Sequence, residues 1–255
     1  MAAISALAEH GTRIDTLIEN EGFSEAGIYA ANMYHMGVPM LMIVDDYLPM
    51  KENPWNPGNF NTVFASVGDD GSLYGTIIEK MFAKYYGNYE NIVGGWMGAA
   101  VAAMNGSPYM EFWLNENTDK EMIWNEIVGA DAETNIITAG SNFCGSHDNT
   151  TAEGVQCGHA YSLLHAFTLS DGTRLIKCRN PWGAERYAAK WSDGSEEWTP
   201  EIINEVNELG FGPVVDENEG LFFIDLDSFM NNFSQLTINY ATADWKLGWF
   251  MKLDD

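Results

Sequence analysis

The 255-residue sequence predicts an α+β fold, with a partly helical first lobe packed on a second lobe built on an antiparallel sheet and a cleft between the two. Three observations predict it. Helical periodicity is concentrated in the first part of the chain, at 1–19 and 73–86. From Pro108 onward short apolar runs alternate with turn residues, interrupted by one helical stretch near 120–128. Asp171-Gly172 lies between the apolar-rich runs 161–169 and 174–178, and Asp-Gly in that setting is the strongest short-range signal for an antiparallel hairpin.

Taken in order, residues 1–19 read as a helix from Ala2, Ala3, Ile4, Ala6, Leu7 and Ala8, then Ile14, Leu17 and Ile18. No Ser, Thr, Asp or Asn precedes its first turn to hold the free amides. Residues 26–50 read as strands ending at Asp45-Asp46. Neighbours on a strand point to opposite faces, so these two carboxylates cannot easily share one ion, and a structural role is expected. Pro54, Pro57 and Gly58 mark a loop, and 63–66 a further short strand. Asp69-Asp70-Gly71-Ser72 lacks the alternation of a calcium loop and reads as a turn capping the helix over 73–86, with Ile77, Ile78, Met81, Phe82 and Tyr85 on one face. Gly94-Gly95 has no Lys-Ser/Thr after it, so it is not a phosphate cradle. In the second half, strands are expected at 136–139, 161–169, 174–178 and 221–225, then a short helix over 226–233. Trp113, Trp124 and Trp191 are expected in the core.

Composition sets the outer bounds. With 46% hydrophobic and 13% aromatic residues the chain can bury a large core. A formal charge of −25, from 37 acids against 12 bases, argues against nucleic acid and anionic membrane surfaces, which demand a positive face. No run of apolar residues is long enough to span a membrane. Cys144, Cys157 and Cys178 are odd in number and at no zinc spacing, so reduced thiols and a cytoplasmic location are expected, without disulfides.

The chemistry centres on Gly158-His159-Ala160-Tyr161-Ser162 and Arg179-Asn180-Pro181-Trp182-Gly183. His159 and Asn180 are 21 positions apart, and a hairpin between them would return Asn180 to the side of His159. A thiol protease needs that arrangement: an imidazole to take a cysteine's proton, and an amide oxygen to hold the other ring nitrogen. Trp182 would exclude water from the pair. The bland reading is a satisfied histidine and a turn at Asn-Pro-Trp-Gly.

These two stretches resemble the His and Asn segments of the calpain family of papain-like cysteine proteases. Residues 43–49 (Ile-Val-Asp-Asp-Tyr-Leu-Pro), residues 78–84 with Gly87, Tyr89 and Glu90 behind them, and Gly220-Leu221-Phe222 with Phe229, Phe233 and Leu236 agree in the same order. The resemblance implies a papain-like two-lobe fold with His159 as general base and acid, Asn180 as orienter and Trp182 as shield. It implies proteolysis of protein or peptide substrates by acyl transfer to a thiolate. It also divides the chain into an incomplete first lobe at 1–106, a second lobe at 107–240, and the start of a following domain at 241–255, where Trp245-Lys246-Leu247-Gly248-Trp249 stands.

In the family a Cys-Trp pair opens a central helix whose Ala-rich continuation Met1-Ala2-Ala3-Ile4-Ser5-Ala6-Leu7 resembles. The nucleophile and the glutamine of the oxyanion site are therefore expected upstream of Met1, leaving the chain as written inert, either as a fragment of an active protease or as a protein-binding pseudoenzyme. Cys157 and Cys178 lie two positions before His159 and Asn180, but neither is at the start of an expected helix, where a thiol's pKa is lowered. The family's calcium activation is only partly matched. Asp193 and Glu219 keep acids, whereas Arg186, Leu221 and Ala102 stand where acids are expected, and a guanidinium repels a cation. A separate reading, a carbohydrate-active enzyme using Asp45, Asp46 or Glu111, lacks a spacing that selects a pair of opposed carboxylates.

Overall fold

The first apolar stretch folds as two helices. In the computed structural model, which describes residues 1–68, 70–214 and 220–241, α1 spans Ala2–Ala8 and α2 spans Gly11–Leu17. The single helix expected over 1–19 breaks at His10, which is extended at φ −112° and ψ 99°. Gly11 follows, and its large backbone entropy makes continuing the helix costly there.

β1 (Ile28–His35) and β2 (Val38–Asp45) pair antiparallel in the region read as strands. Met36 and Gly37 turn between them at φ 50° and 80°, the left-handed pair whose twist suits a two-residue hairpin. β3 (Met50–Glu52) pairs with β4 (Phe60–Thr62) around the expected loop. The strand expected at 63–66 is displaced to β4. Past Val63 the backbone turns to other partners, and the Ala65 N–H donates to Glu79 Oε2 at 2.9 Å.

α3 (Tyr74–Tyr86) buries Ile77, Ile78 and Met81. The turn before it holds, with the Ser72 N–H donating to Asp70 Oδ1 at 2.9 Å, but no side chain caps the helix. Asp69 lies outside the described residues. α4 (Met97–Asn105) stops at Gly106, whose φ of 75° no other residue adopts as cheaply. Leu7, Leu17, Met33, Ile77, Met81 and Val101 share one core.

The later part of the chain forms a six-stranded antiparallel sheet in the order β5 (Tyr109–Trp113), β10 (Phe233–Asn239), β6 (Ile136–Ser141), β7 (Ala160–Thr168), β8 (Arg174–Arg179) and β9 (Leu221–Asp225). All four strands expected from the sequence are in it. α5 (Lys120–Ala132) and α7 (Leu226–Asn232) press Ile123, Trp124, Ile127 and Phe229 onto its core, while α6 (Pro200–Glu208) adds Val206 to a second cluster with Trp191 and Phe223. Asp119 starts α5 by accepting the Glu121 N–H at 2.9 Å, and Asp225 starts α7 by accepting the Ser228 N–H at 2.8 Å.

Trp113 is a correction. It is 59% exposed at the end of edge strand β5, edge-on to Trp96 with ring centroids 5.8 Å apart. α6 and β10 were not anticipated. Thr199-Pro200 was a legible start for α6, since the Thr199 hydroxyl is its N-cap and Pro200 fits a first turn. β10 follows α7 without a turn residue between them, so pattern alone does not separate the two.

Candidate active site

The predicted hairpin brings His159 and Asn180 together. β7 and β8 are joined by a tight turn in which Leu169 N–H donates to Thr173 O at 2.8 Å and Thr173 N–H to Asp171 Oδ1 at 2.8 Å. Ser162 is then opposite Arg179, despite a bulge between Leu163 and His165. His159 lies just before the first strand and Asn180 just after the second, with His159 Nε2 2.9 Å from Asn180 Oδ1.

The protonation pattern follows from a third partner. The Trp182 N–H, which can only donate, points at the same Oδ1 at 3.0 Å, so that atom is the amide oxygen. Nε2 must therefore carry the proton of the His159–Asn180 bond. In the neutral ring, Nδ1 keeps the lone pair and is the basic atom.

Both side chains are set on pinned backbone. The His159 N–H donates to Ser141 Oγ at 2.9 Å, and the Ser141 N–H donates to His159 O at 2.9 Å. Asn180 is buried, and its N–H donates to Gly220 O at 2.7 Å. The Trp182 indole stands over the imidazole with centroids 4.2 Å apart, and the Tyr161 ring meets it edge-on at 5.1 Å. Trp182 is 59% exposed, so it covers the pair on one side and faces solvent on the other.

α1 runs against this site. It packs on β6 and β7, and Ser162 Oγ donates to Ala2 O at 3.1 Å. Ala3, Ile4 and Leu7 of α1 belong to the first core, so α1 lies between that core and the strands that flank His159. Burial is the main force holding the His159 pKa below its ordinary value. The Asn180 hydrogen bond opposes it, while the Met1 amine and His147 add to the lowering.

The sulfurs are placed differently from expectation. Cys144 and Cys157 are joined in a disulfide, correcting the expectation of three reduced thiols. The intervening loop folds back through Cys157 N–H to Asn149 O at 2.9 Å and Gly158 N–H to Asn142 O at 2.8 Å, a long-range closure that cysteine spacing does not reveal. Cys178 is fully buried in the sheet core, and burial pushes its pKa up, disfavouring the nucleophilic thiolate.

The remaining acids have other places. Asp45 pairs with Lys80 and accepts the Tyr47 N–H at 2.9 Å, a structural arrangement. Asp46 covers Gly27 just past the end of β2, and Glu111 sits on β5 opposite Thr237, in a different sheet from Asp45. Asp193 is half-buried in the segment between β8 and α6, and Glu219 lies outside the described residues. Among the described residues no group of three or more His, Cys, Asp or Glu side chains is gathered to hold a metal ion. With Arg186 and Leu221 also present, the described donors do not fit a family-type calcium cluster.

A helix packed on the strands beside an imidazole, which is itself held by a carboxamide under an indole and carried on an antiparallel sheet, defines a papain-like cysteine-protease fold. The chain belongs to the calpain family of cysteine proteases, whose model matches residues 1–240. It is 28% identical over 244 residues to the calpain-type cysteine protease ADL1 of Oryza sativa subsp. japonica, covering 93% of this chain and 11% of that protein. Calpain clp-4 of Caenorhabditis elegans is 30% identical, covering 88% of this chain and 31% of the relative. The calpain-1 catalytic subunit of Rattus norvegicus is 27% identical, covering 96% and 34% respectively. The chain thus spans about a third or less of the length of these relatives.

Proposed function

We propose that this chain is the core of a calpain-type cysteine endopeptidase acting on protein or peptide substrates in the cytoplasm. The observation that carries the reading is the 2.9 Å contact from His159 Nε2 to Asn180 Oδ1, shared with the Trp182 N–H. In this reading His159 Nδ1 takes the proton of a thiol at the front of α1 and later returns it to the leaving amine. Asn180 keeps the ring in that tautomer, and Trp182 keeps water off the bond. Residues 1–106 form the first lobe and 107–240 the second, with substrate extended in the cleft between them. Residues 242–255, including Trp245 and Trp249, lie outside the described residues.

None of the chain's own cysteines is available as nucleophile: two are bonded to each other and Cys178 is buried. The reading therefore holds that these residues alone do not hydrolyse peptides, and that a polypeptide carrying a cysteine ahead of Ala2 does. The message should be read upstream of Met1 for an in-frame Gln and Gly-Asp-Cys-Trp, and the encoded protein assayed on a fluorogenic peptide beside its His159→Ala form. Hydrolysis lost in His159→Ala with folding retained supports the protease. A message that starts at Met1, or hydrolysis indifferent to His159, favours a protein-binding module with a protease's shape.

A further inference from the structure

The Cys144–Cys157 bond closes the loop between β6 and β7, the segment that delivers His159. Its two sulfurs are in unlike surroundings. Cys157 is fully buried two residues before His159, whereas Cys144 belongs to an exposed turn with Phe143, which is 65% exposed. That turn lies against the approach to the site. His147 Nδ1 is 3.0 Å from Gly158 O, and its ring lies so close over Gly158 that a Cβ there would fall 2.7 Å from it. Phe143 packs on His147 with centroids 5.4 Å apart.

Besides the sulfur bridge, hydrogen bonds hold the turn at 143–148: His147 Nδ1 to Gly158 O, Asn149 Nδ2 to Cys144 O at 3.0 Å, and Gln156 Nε2 to His147 O. The other end of the loop is anchored independently. Ser141 Oγ donates to Gln156 O at 2.5 Å, and the Gln156 N–H donates to the Tyr161 hydroxyl at 2.9 Å. Opening the bridge thus removes the one covalent tie of the outer turn, leaving it on those hydrogen bonds, while the inner anchor stays in place.

We propose that Cys144–Cys157 is a reversible thiol–disulfide exchange site that, when closed, clamps the Phe143–His147 turn beside His159 and, when reduced, frees it. The inference deepens the protease reading by assigning regulation to the same site. The reductant is a dithiol. Its thiolate attacks the exposed Cys144 sulfur, the disulfide breaks, and Cys157 leaves and takes up a proton. The second thiol of the dithiol then attacks its own sulfur in the mixed disulfide, releasing Cys144 as a thiol. Two electrons pass to the protein, and the dithiol becomes a disulfide. In a reducing compartment disulfides are usually transient and catalytic or redox-sensing.

The test uses the native protein with dithiothreitol as the probe, read by alkylation mass shift, amide hydrogen exchange and the His159 ring resonances. Before reduction Cys144 and Cys157 should resist alkylation. Without denaturant, dithiothreitol should make the exposed Cys144 alkylatable, cause loss of amide protection at 143–148 but not in β6 or β7, and shift the His159 resonances, all reversed on reoxidation. Cys144→Ala, an exposed change that leaves Cys157 in place, should show the reduced behaviour from the outset and no response to dithiothreitol. A bond reduced only in denaturant, free alkylation of both thiols in the protein purified under air, or His159 resonances and loop protection identical in both states would overturn the proposal. These readouts need no peptidase activity, so failure of the protease reading leaves them intact.

Discussion

Asn180 Oδ1 receives two donors at once, the His159 ring at 2.9 Å and the Trp182 backbone at 3.0 Å. The second donor fixes which end of the amide faces the imidazole, and the amide fixes which ring nitrogen is basic. Asn180→Ala removes the interaction that favours the charged ring while burial remains, so the His159 pKa should fall further. Asn180→Asp should raise it. An NMR titration of the ring protons checks both signs, and Asn180→Ala should also cost about 1–3 kcal/mol by leaving the Trp182 N–H without its acceptor.

The lowered His159 pKa makes stability depend on pH in a definite direction. Between the folded and unfolded values the unfolded chain binds more protons, so stability rises with pH there. The contribution is complete above the unfolded value of about 6.5 and is lost as pH falls through it towards the folded value. His10, also lowered chiefly by burial, acts in the same sense. Denaturant midpoints should drop on acidification across that window, and His159→Gln should flatten part of the drop.

Cys178 should be silent in the native protein. It has no exposed surface, and burial disfavours its thiolate. Alkylation should reach it only after unfolding. Cys178→Ser should destabilise by about 1–3 kcal/mol, the cost of a buried hydroxyl without a partner, measured by urea unfolding.

Gly154 is a demanding position in the loop that delivers His159. Its φ is +89°, and a Cβ there would overlap the carbonyl oxygen of Arg186. Gly154→Ala should cost roughly 1–3 kcal/mol from backbone strain alone, and more as the 184–190 segment is displaced. A lower melting temperature with weakened protection around Ala188, whose N–H donates to Glu153 O at 3.0 Å, would show it.

Asp119→Ala tests the helix covering the main core. Losing the cap at the Glu121 amide should cost about 0.5–2 kcal/mol without changing the His159 titration, because no group on α5 is among those that shift the His159 pKa. Denaturation and the same NMR titration separate the two effects.

What could be read from residues alone was what is local. Asp171-Gly172 between two apolar runs sets the hairpin by turn chemistry, and a hairpin of that length returns Asn180 to His159 whatever surrounds it. The buried face of α3 and the four strands expected from apolar runs follow from the same short-range periodicity, whereas α4 was not read from it. The break at His10-Gly11, the exposure of Trp113 and the passage from α7 directly into β10 depend on competition with distant partners, which periodicity does not register. Order across the sheet, the approach of α1 to the imidazole and the joining of Cys144 to Cys157 belonged to the tertiary structure alone. Each brings together groups whose encounter is determined by packing a whole core, and no spacing along the chain encodes that.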